Sequence, residues 1–153
     1  AYDLASCLVG SEMCIRDRYS LMYAGGAVVY KSKTQSLTAC SSTEAEFIAA
    51  YDCAKTARYL RFVLQELGYH QEGATEIHID NQAALQIIND NQCPTIRTRH
   101  LDIRFFSLQD WRTDGDIAMV HIAGILNPSD DLTKPLAYCL HARHCQRMMG
   151  HFN

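Results

Sequence analysis

Hydrophobic and polar residues alternate along positions 21–40, first around Gly25-Gly26 and again after the polar stretch 31–35, which is the pattern of two antiparallel strands that form a hairpin. Positions 41–44 read Ser-Ser-Thr-Glu, a capping box in which the serine hydroxyl and the glutamate carboxylate each accept a hydrogen bond from a free backbone N–H. A long helix is therefore predicted to follow. It should run to Leu67, because Gly68 is a typical helix-ending residue.

The rest of the chain alternates between short strands and helices. Apolar residues recur with strand or helix spacing at 75–80 (strand), 81–89 (helix), 101–111 (helix), 116–122 (strand) and 136–149 (helix). Pro128 is expected to open one more helix, since proline is favoured at the first helical position. This order of a hairpin, a long helix and alternating strands and helices predicts an α/β fold with a mixed sheet.

Composition limits the class of protein. The chain has 153 residues, of which 48% are hydrophobic and 20% charged, and this suits one domain with a buried core. It contains neither an apolar run long enough to cross a membrane nor a signal-peptide pattern, so we expect a soluble intracellular protein. The net charge of −3 means that a nucleic acid would have to be held by local patches. The seven cysteines include no Cys-x-x-Cys pair and are expected to be reduced thiols.

The acid Glu46 occupies an unusual position on the long predicted helix. Steps of three and four residues from it reach Ala50, Cys53 and Ala57, so Glu46 heads the apolar stripe that should face the sheet. Burying an ionised carboxylate is costly unless a cation or hydrogen-bond donors receive it, which makes a metal ion a natural partner. The alternative is that Glu46 lies at the rim of the sheet, where water reaches it and the helix dipole stabilises its charge.

Two further acids stand where ligand sites gather in α/β proteins. Asp80 stands at the C-terminal end of a predicted strand, and Asp130 falls in the first turn of the helix that Pro128 opens. Each also has a structural interpretation, because Asp80 could be an ordinary N-cap and the helix dipole favours the charge of Asp130. Together with Glu46 they can converge at one edge of the sheet. Clustered carboxylates can hold a pair of Mg²⁺ ions that activate a water and stabilise the leaving oxygen in phosphodiester cleavage.

Two other clusters have weaker claims to function. The terminal predicted helix contains four potential zinc ligands that point in different directions, so a solvated helix is the preferred interpretation; they are Cys139, His141, His144 and Cys145. A basic cluster could grip phosphates or could anchor a helix internally, and both interpretations stay open; it consists of Arg97, Arg99, His100 and Arg104.

Four separated segments of the chain form recognisable motifs. They are LTACSSTEAEFIAA at 37–50, IDNQAAL at 79–85, TRHLDIR at 98–104 and NPSDDLTKPL at 127–136. In this order they resemble the ribonuclease H domain of copia-type LTR retrotransposon polyproteins. The resemblance implies a ribonuclease H-like fold, with a five-stranded mixed sheet and flanking helices. It also implies an endonuclease that hydrolyses the RNA strand of RNA/DNA hybrids by a two-metal mechanism during reverse transcription.

The resemblance assigns residues to the site, motif by motif. The positions that match the catalytic, metal-binding acids are Glu46, Asp80 and Asp130. The positions that match contacts with the nucleic acid near the cut, where short polar side chains suit a sugar, are Ser42, Asn81 and Gln82. The implied cofactors are two Mg²⁺ ions, for which Mn²⁺ can substitute.

Residues 1–20 depart from the family pattern. The family begins with a strand that carries the first catalytic aspartate in an Asp-x-Asp-Trp-Ala context, and Asp3 is the candidate for this catalytic, metal-binding role. Positions 11–18 have no family likeness and resemble a translated sequencing adaptor. We therefore interpret 1–20 as a degraded or artefactual first strand and 21–153 as the ribonuclease H domain. A damaged first strand also supports a second hypothesis, that of a catalytically silent domain of a decayed retroelement that binds hybrids or serves a structural purpose.

The same resemblance implies partners and a location. The RNA/DNA hybrid is the expected substrate, and specificity would come from its shape and from the 2′-hydroxyl group rather than from base edges. The reverse transcriptase domain of the same polyprotein is the expected neighbour, and no membrane is involved. The expected location is the cytoplasm, inside the virus-like particle of the element.

Overall fold

The computed structural model describes residues 4–10, 16–34, 42–89, 99–123, 127 and 137–150. The strands are β1 (Leu4–Gly10), β2 (Arg16–Tyr23), β3 (Gly26–Thr34), β4 (Thr75–Ile79) and β5 (Ile117–His121). The helices are α1 (Ser42–Glu66), α2 (Gln82–Asn89), α3 (Arg99–Thr113) and α4 (Tyr138–Met148). Strands and helices are mixed along the chain, so the predicted α/β class is confirmed.

The strands form one five-stranded sheet in the order β3-β2-β1-β4-β5. Neighbours among the first three strands of the chain are antiparallel, whereas β1 pairs with β4 and β4 pairs with β5 in parallel. A parallel pair needs a crossover connection, and α1 provides it between the hairpin and β4. The sheet is therefore mixed, with its antiparallel part on one side of β1 and its parallel part on the other.

The predicted hairpin is present as β2 and β3, but residues 31–34, after which the alternation repeats in the sequence, lie inside β3. The two-residue turn of the hairpin consists of Ala24 (φ 50°) and Gly25 (φ 88°), both in the left-handed region. Two such residues make a type I′ turn, whose twist matches that of the flanking strands. Strand β2 begins at Arg16, earlier than predicted, so it extends into the stretch that lacks family likeness.

Helix α1 is the longest element, and it ends as predicted. Gly68 has a φ of +85°. Its N–H donates to the carbonyl of Gln65 (3.0 Å), and the N–H of Tyr69 donates to the carbonyl of Leu64 (2.8 Å). This bond pair is a Schellman motif, which satisfies carbonyls at the end of the helix. The predicted capping serine, Ser41, lies outside the described residues.

Small side chains line the face of α1 that packs against the sheet. The fully buried ones, each 0% exposed, are Ala49, Ala50, Cys53, Ala54 and Ala57. They share one core cluster with Leu21 of β2 and with Ile77 and Ile79 of β4. Small residues let the helix lie close to the strands, so the apolar stripe predicted from periodicity is confirmed.

One buried cysteine differs from the expectation of reduced thiols. Cys53 is disulfide-bonded, so the expectation is wrong for this residue, while Cys139 and Cys145 on α4 are free. Pairing without a Cys-x-x-Cys motif depends on tertiary contacts, which the spacing of cysteines in the sequence does not reveal.

The later elements also agree with the predicted pattern. Phe105 and Leu108 on α3 are buried, and Trp111 stacks on Tyr51 of α1 with 5.5 Å between ring centroids. The helix expected to open at Pro128 lies outside the described residues. Among the helices that the structure does describe, none is both long and apolar enough to span a membrane.

Candidate active site

The direction of α1 determines which residues share an edge of the sheet. Arg61, in the C-terminal half of α1, donates to the carbonyl of Gly73 (2.7 Å) and to the Thr75 hydroxyl (3.1 Å), at the start of β4. Helix α1 therefore runs antiparallel to β4. Glu46 lies about four turns, or about 22 Å, before Arg61, and β4 with the residue after it spans about 17 Å. Glu46 and Asp80 thus lie towards the same edge, at which β4 and β5 end, here named the carboxyl edge.

Glu46 is buried at this edge. Its residue is 7% exposed, and the neighbouring Ala45 and Phe47 are buried as well. The interpretation in which water reaches Glu46 freely at the rim is therefore not what the structure shows. A carboxylate held out of water retains its charge only where cations or hydrogen-bond donors face it, so its position suits a cation-binding site.

Asp80 follows β4 directly and is half-buried, but it does not cap the next helix. The Asn81 side-chain oxygen accepts hydrogen bonds from the backbone N–H groups of Ala83 (2.9 Å) and Ala84 (3.2 Å). These are the bonds of an N-cap, so Asn81 begins α2. The structural interpretation of Asp80 as an ordinary cap is therefore wrong, and its carboxylate is available at the carboxyl edge.

A third motif reaches Asp80 through Asn127. This residue lies in the connection between β5 and α4, is 0% exposed, and donates from Nδ2 to Oδ2 of Asp80 at 3.4 Å. The sequence predicts only a helix start here and gives Asn127 no site role. Its position in the NPSDDLTKPL motif was the one available signal. Asp130, the predicted acid of this motif, lies outside the described residues.

The first strand contributes less than expected to this edge. Its parallel register with β4 pairs Cys7 with Ile77 and Val9 with Ile79. Gly10 is consequently level with Asp80 and brings no carboxylate there, whereas Leu4 is at the opposite edge, where β4 begins. Asp3, the predicted first acid, lies outside the described residues, and its role stays a prediction.

The predicted nucleic-acid contacts stand at helix starts. Ser42 is the first residue of α1 and Gln82 the first of α2, and both are exposed. Asn81 precedes Gln82 and is half-buried. Because both helices begin at the carboxyl edge, these polar side chains and the positive ends of two helix dipoles border the two acids. Such an edge suits a ligand with phosphate and hydroxyl groups.

Of the side chains in the predicted basic cluster, the structure describes that of Arg104. The Arg104 guanidinium lies 5.3 Å from the centroid of the Tyr51 ring and is half-buried, which is an internal packing role. Arg97 lies outside the described residues, and the side chains of Arg99 and His100 do too.

The four cysteines and histidines of α4 do not assemble a zinc site. Cys139 and His141 are exposed, Cys145 is half-buried, and His144 is 3% exposed. The Cys145 Sγ lies 3.5 Å from Nε2 of His141, one turn earlier on the same helix. Within the described part of the chain, no group of three His, Cys, Asp or Glu side chains could hold a metal ion. The predicted magnesium site depends on Asp3 and Asp130 as well, which are not in that part.

A cleft of about 570 Å³ lies at the edge opposite the candidate site. Its lining includes Lys55, Arg58, Tyr59, Phe62, His70 and Trp111. Arg58 packs over the Trp111 ring, 5.3 Å from its centroid, and pairs with Asp116, which also lies 3.9 Å from Arg61. These cations therefore hold α1 against α3 and β5 and do not belong to the carboxyl edge.

Comparison with known proteins relates the chain to mobile elements of plants. It is 36% identical over 116 residues to the retrovirus-related Pol polyprotein from transposon TNT 1-94 of Nicotiana tabacum, which is 76% of this chain and 9% of that polyprotein. It is 27% identical over 110 residues to the retrovirus-related Pol polyprotein from transposon RE1 of Arabidopsis thaliana, which is 72% of this chain and 7% of that polyprotein. No protein-family model and no solved structure matches the chain. The chain is thus homologous to a small segment of retrovirus-related Pol polyproteins from plant transposons.

Proposed function

We propose that this chain is the ribonuclease H domain of a copia-type retrotransposon polyprotein, an endonuclease that cuts the RNA strand of RNA/DNA hybrids. The observation that carries the proposal is the antiparallel course of α1 along β4, which brings the buried Glu46 and the strand-ending Asp80 to one edge. The sheet order, with three antiparallel strands followed by two parallel ones, supports a ribonuclease H-like fold. The homology to Pol polyproteins supplies a setting in which RNA/DNA hybrids arise.

Magnesium fits the donor set of this edge. Glu46 and Asp80 offer the hard carboxylate oxygens that Mg²⁺ prefers, and Asp130 follows Asn127, the hydrogen-bond partner of Asp80, by three residues in the chain. We propose that these three acids hold the metal, with Mn²⁺ as a substitute. When bound, the metal supplies the positive charge that activates water and stabilises the leaving oxygen.

The residues of the chain itself bind and orient the hybrid. We propose that Ser42 and Gln82, at the exposed starts of α1 and α2, contact the sugar-phosphate backbone near the cut, together with the amide of Asn81. The two acids carry the negative charge that opposes a phosphate unless a cation balances it, so substrate and metal bind in concert. The proposed neighbour is the reverse transcriptase domain of the polyprotein, and the proposed location is the cytoplasmic virus-like particle.

The test is metal-dependent cleavage of a labelled RNA/DNA hybrid. Glu46→Gln and Asp80→Asn should each lower the cleavage rate by about 100-fold or more, because each removes a metal-orienting charge. Without metal, both variants should be as stable as the wild type or slightly more so, since clustered negative charge is relieved. Glu66→Gln, at the other end of α1, is the matched control and should cleave normally. Full activity in both site variants would refute the proposal.

A second candidate function is a catalytically silent, hybrid-binding or structural domain. The register of β1, which brings Gly10 level with Asp80, favours it, because this strand supplies no acid at that level. Binding of the hybrid without cleavage, in Mg²⁺ and in Mn²⁺, is the outcome that would select this function over the first.

A further inference from the structure

The side chain of Asn127 links the connection between β5 and α4 to Asp80, the residue that follows β4. Its side chain is 0% exposed, and its Nδ2 group lies 3.4 Å from Oδ2 of Asp80. The two residues are 47 positions apart in the chain. A buried amide needs hydrogen-bond partners, and a carboxylate is a strong acceptor for one of its protons.

The bond constrains Asp80 in two ways. It favours one orientation of the carboxylate, and it engages Oδ2 and not Oδ1. Residues that hydrogen-bond to a metal-ligating carboxylate commonly set both the orientation of that carboxylate and the affinity of the site for its metal. The same bond joins the segment that precedes Asp130 to β4, so it couples two parts of the proposed site.

We propose that Asn127 is a positioning residue, which orients Asp80 for metal binding and acts only through it. This inference rests on the proposed function, since it concerns the metal site at the carboxyl edge. The alternative is a purely structural role, in which Asn127 contributes only to the stability of the fold. The two roles predict different metal affinities for a folded variant. Loss of a positioning residue weakens metal binding, whereas loss of a purely structural residue leaves it unchanged.

The experiment measures Mn²⁺ affinity by calorimetry in a double-mutant cycle of Asn127→Ala and Asp80→Asn. With Asp80 present, Asn127→Ala should weaken Mn²⁺ binding by about 10- to 100-fold. In the Asp80→Asn background, Asn127→Ala should change the affinity no further, because the carboxylate that Asn127 orients is absent. If Asn127→Ala fails to fold, Asn127→Leu keeps the branched shape without the amide and is measured in its place.

A matched control addresses stability. Thr75, at the other end of β4, is 1% exposed, and Thr75→Val removes its hydroxyl, which accepts a hydrogen bond from Arg61 at 3.1 Å. This substitution should lower the melting temperature and leave the Mn²⁺ affinity unchanged, because Arg61 keeps its bond to the carbonyl of Gly73 (2.7 Å) and α1 stays in place. If the Asn127 variants behave in the same way, the positioning role is overturned while the proposed function stands. If the wild type binds no Mn²⁺, the proposed metal site fails, and the role of Asn127 fails with it.

Discussion

At the scale of single residues, Asn81 combines two roles that substitution can separate. Its side-chain oxygen caps α2 through Ala83 and Ala84, and we propose that its amide group meets the nucleic acid. Asn81→Ala should lower the free energy of unfolding by about 1 kcal/mol, the usual cost of a lost cap. Asn81→Ser should keep most of that stability, because a serine hydroxyl also caps.

Both variants should bind the hybrid more weakly, which fluorescence anisotropy with a labelled hybrid would measure beside urea unfolding. A serine variant with wild-type stability and wild-type affinity would leave Asn81 as a cap only. An alanine variant as stable as the wild type would contradict the cap itself.

The candidate site could be predicted in part from individual residues. The sequence predicts Asp80 at a strand end because the apolar run stops there. Asp and Asn are equally good N-cap residues, so the sequence does not determine whether Asp80 or Asn81 caps the start of α2. The backbone of α2 decides in favour of Asn81. The contact of Asn127 with Asp80 was beyond prediction, since it depends on how the connection after β5 folds back onto β4.

At the scale of elements, the end of α1 offers a clean test of backbone strain. Gly68 has a φ of +85°, and a Cβ added to it would meet no atom within 4 Å. Gly68→Ala should therefore cost about 1 to 2 kcal/mol through the left-handed backbone alone. Gly73 also has open space around it, without a left-handed φ. Gly73→Ala should be neutral or stabilise by up to about 1 kcal/mol.

Chemical unfolding of the two variants provides the comparison. Equal stabilities would mean that the Schellman motif does not constrain Gly68 and that α1 can end in another way. The difference is informative because the two substitutions add the same methyl group in the same connection between α1 and β4.

The elements themselves differed in how well the sequence predicted them. Helix α1 was predicted almost to the residue because its periodicity, its capping box and Gly68 all agree. Strand β1 was not predicted as an intact element, because 1–20 lack the local pattern that marks the first strand of the family. Its place in the sheet comes from long-range pairing with β2 and β4, which no local signal encodes.

At the scale of the whole molecule, three side-chain ties fix α1 across the sheet. The Tyr19 hydroxyl of β2 lies 2.7 Å from the Thr56 hydroxyl, Lys31 of β3 lies 3.5 Å from Asp52, and Arg61 holds the start of β4. Thr56 donates to the carbonyl of Asp52 (2.9 Å), so Tyr19 is the donor to Thr56. Because α1 is held on β2, β3 and β4 at once, the position of Glu46 at the carboxyl edge is set by contacts far from it.

Because of the ion pair between Lys31 and Asp52, the free energy of unfolding should depend on pH in the alkaline range. Burial lowers the pKa of Lys31. The electrostatic effects of Tyr19 and Asp52, together with hydrogen bonds to both, raise it and outweigh the effect of burial, so the pKa lies above its ordinary value of 10.5. A base with a raised pKa in the folded state contributes stability that is fully present below the unfolded pKa. That contribution is lost as the pH rises through the folded pKa.

Lys31→Met should accordingly lower the free energy of unfolding by about 0.2 to 1 kcal/mol at neutral pH, the range for a half-exposed ion pair. The gap between wild type and variant should stay constant up to about pH 10.5 and close above it. Lys33→Met, an exposed position two residues along the same strand, is the control and should show no such gap. Urea unfolding across this pH range measures both. A gap that persists unchanged at the highest pH would mean that Lys31 stabilises α1 through the packing of its aliphatic stem and not through its charge.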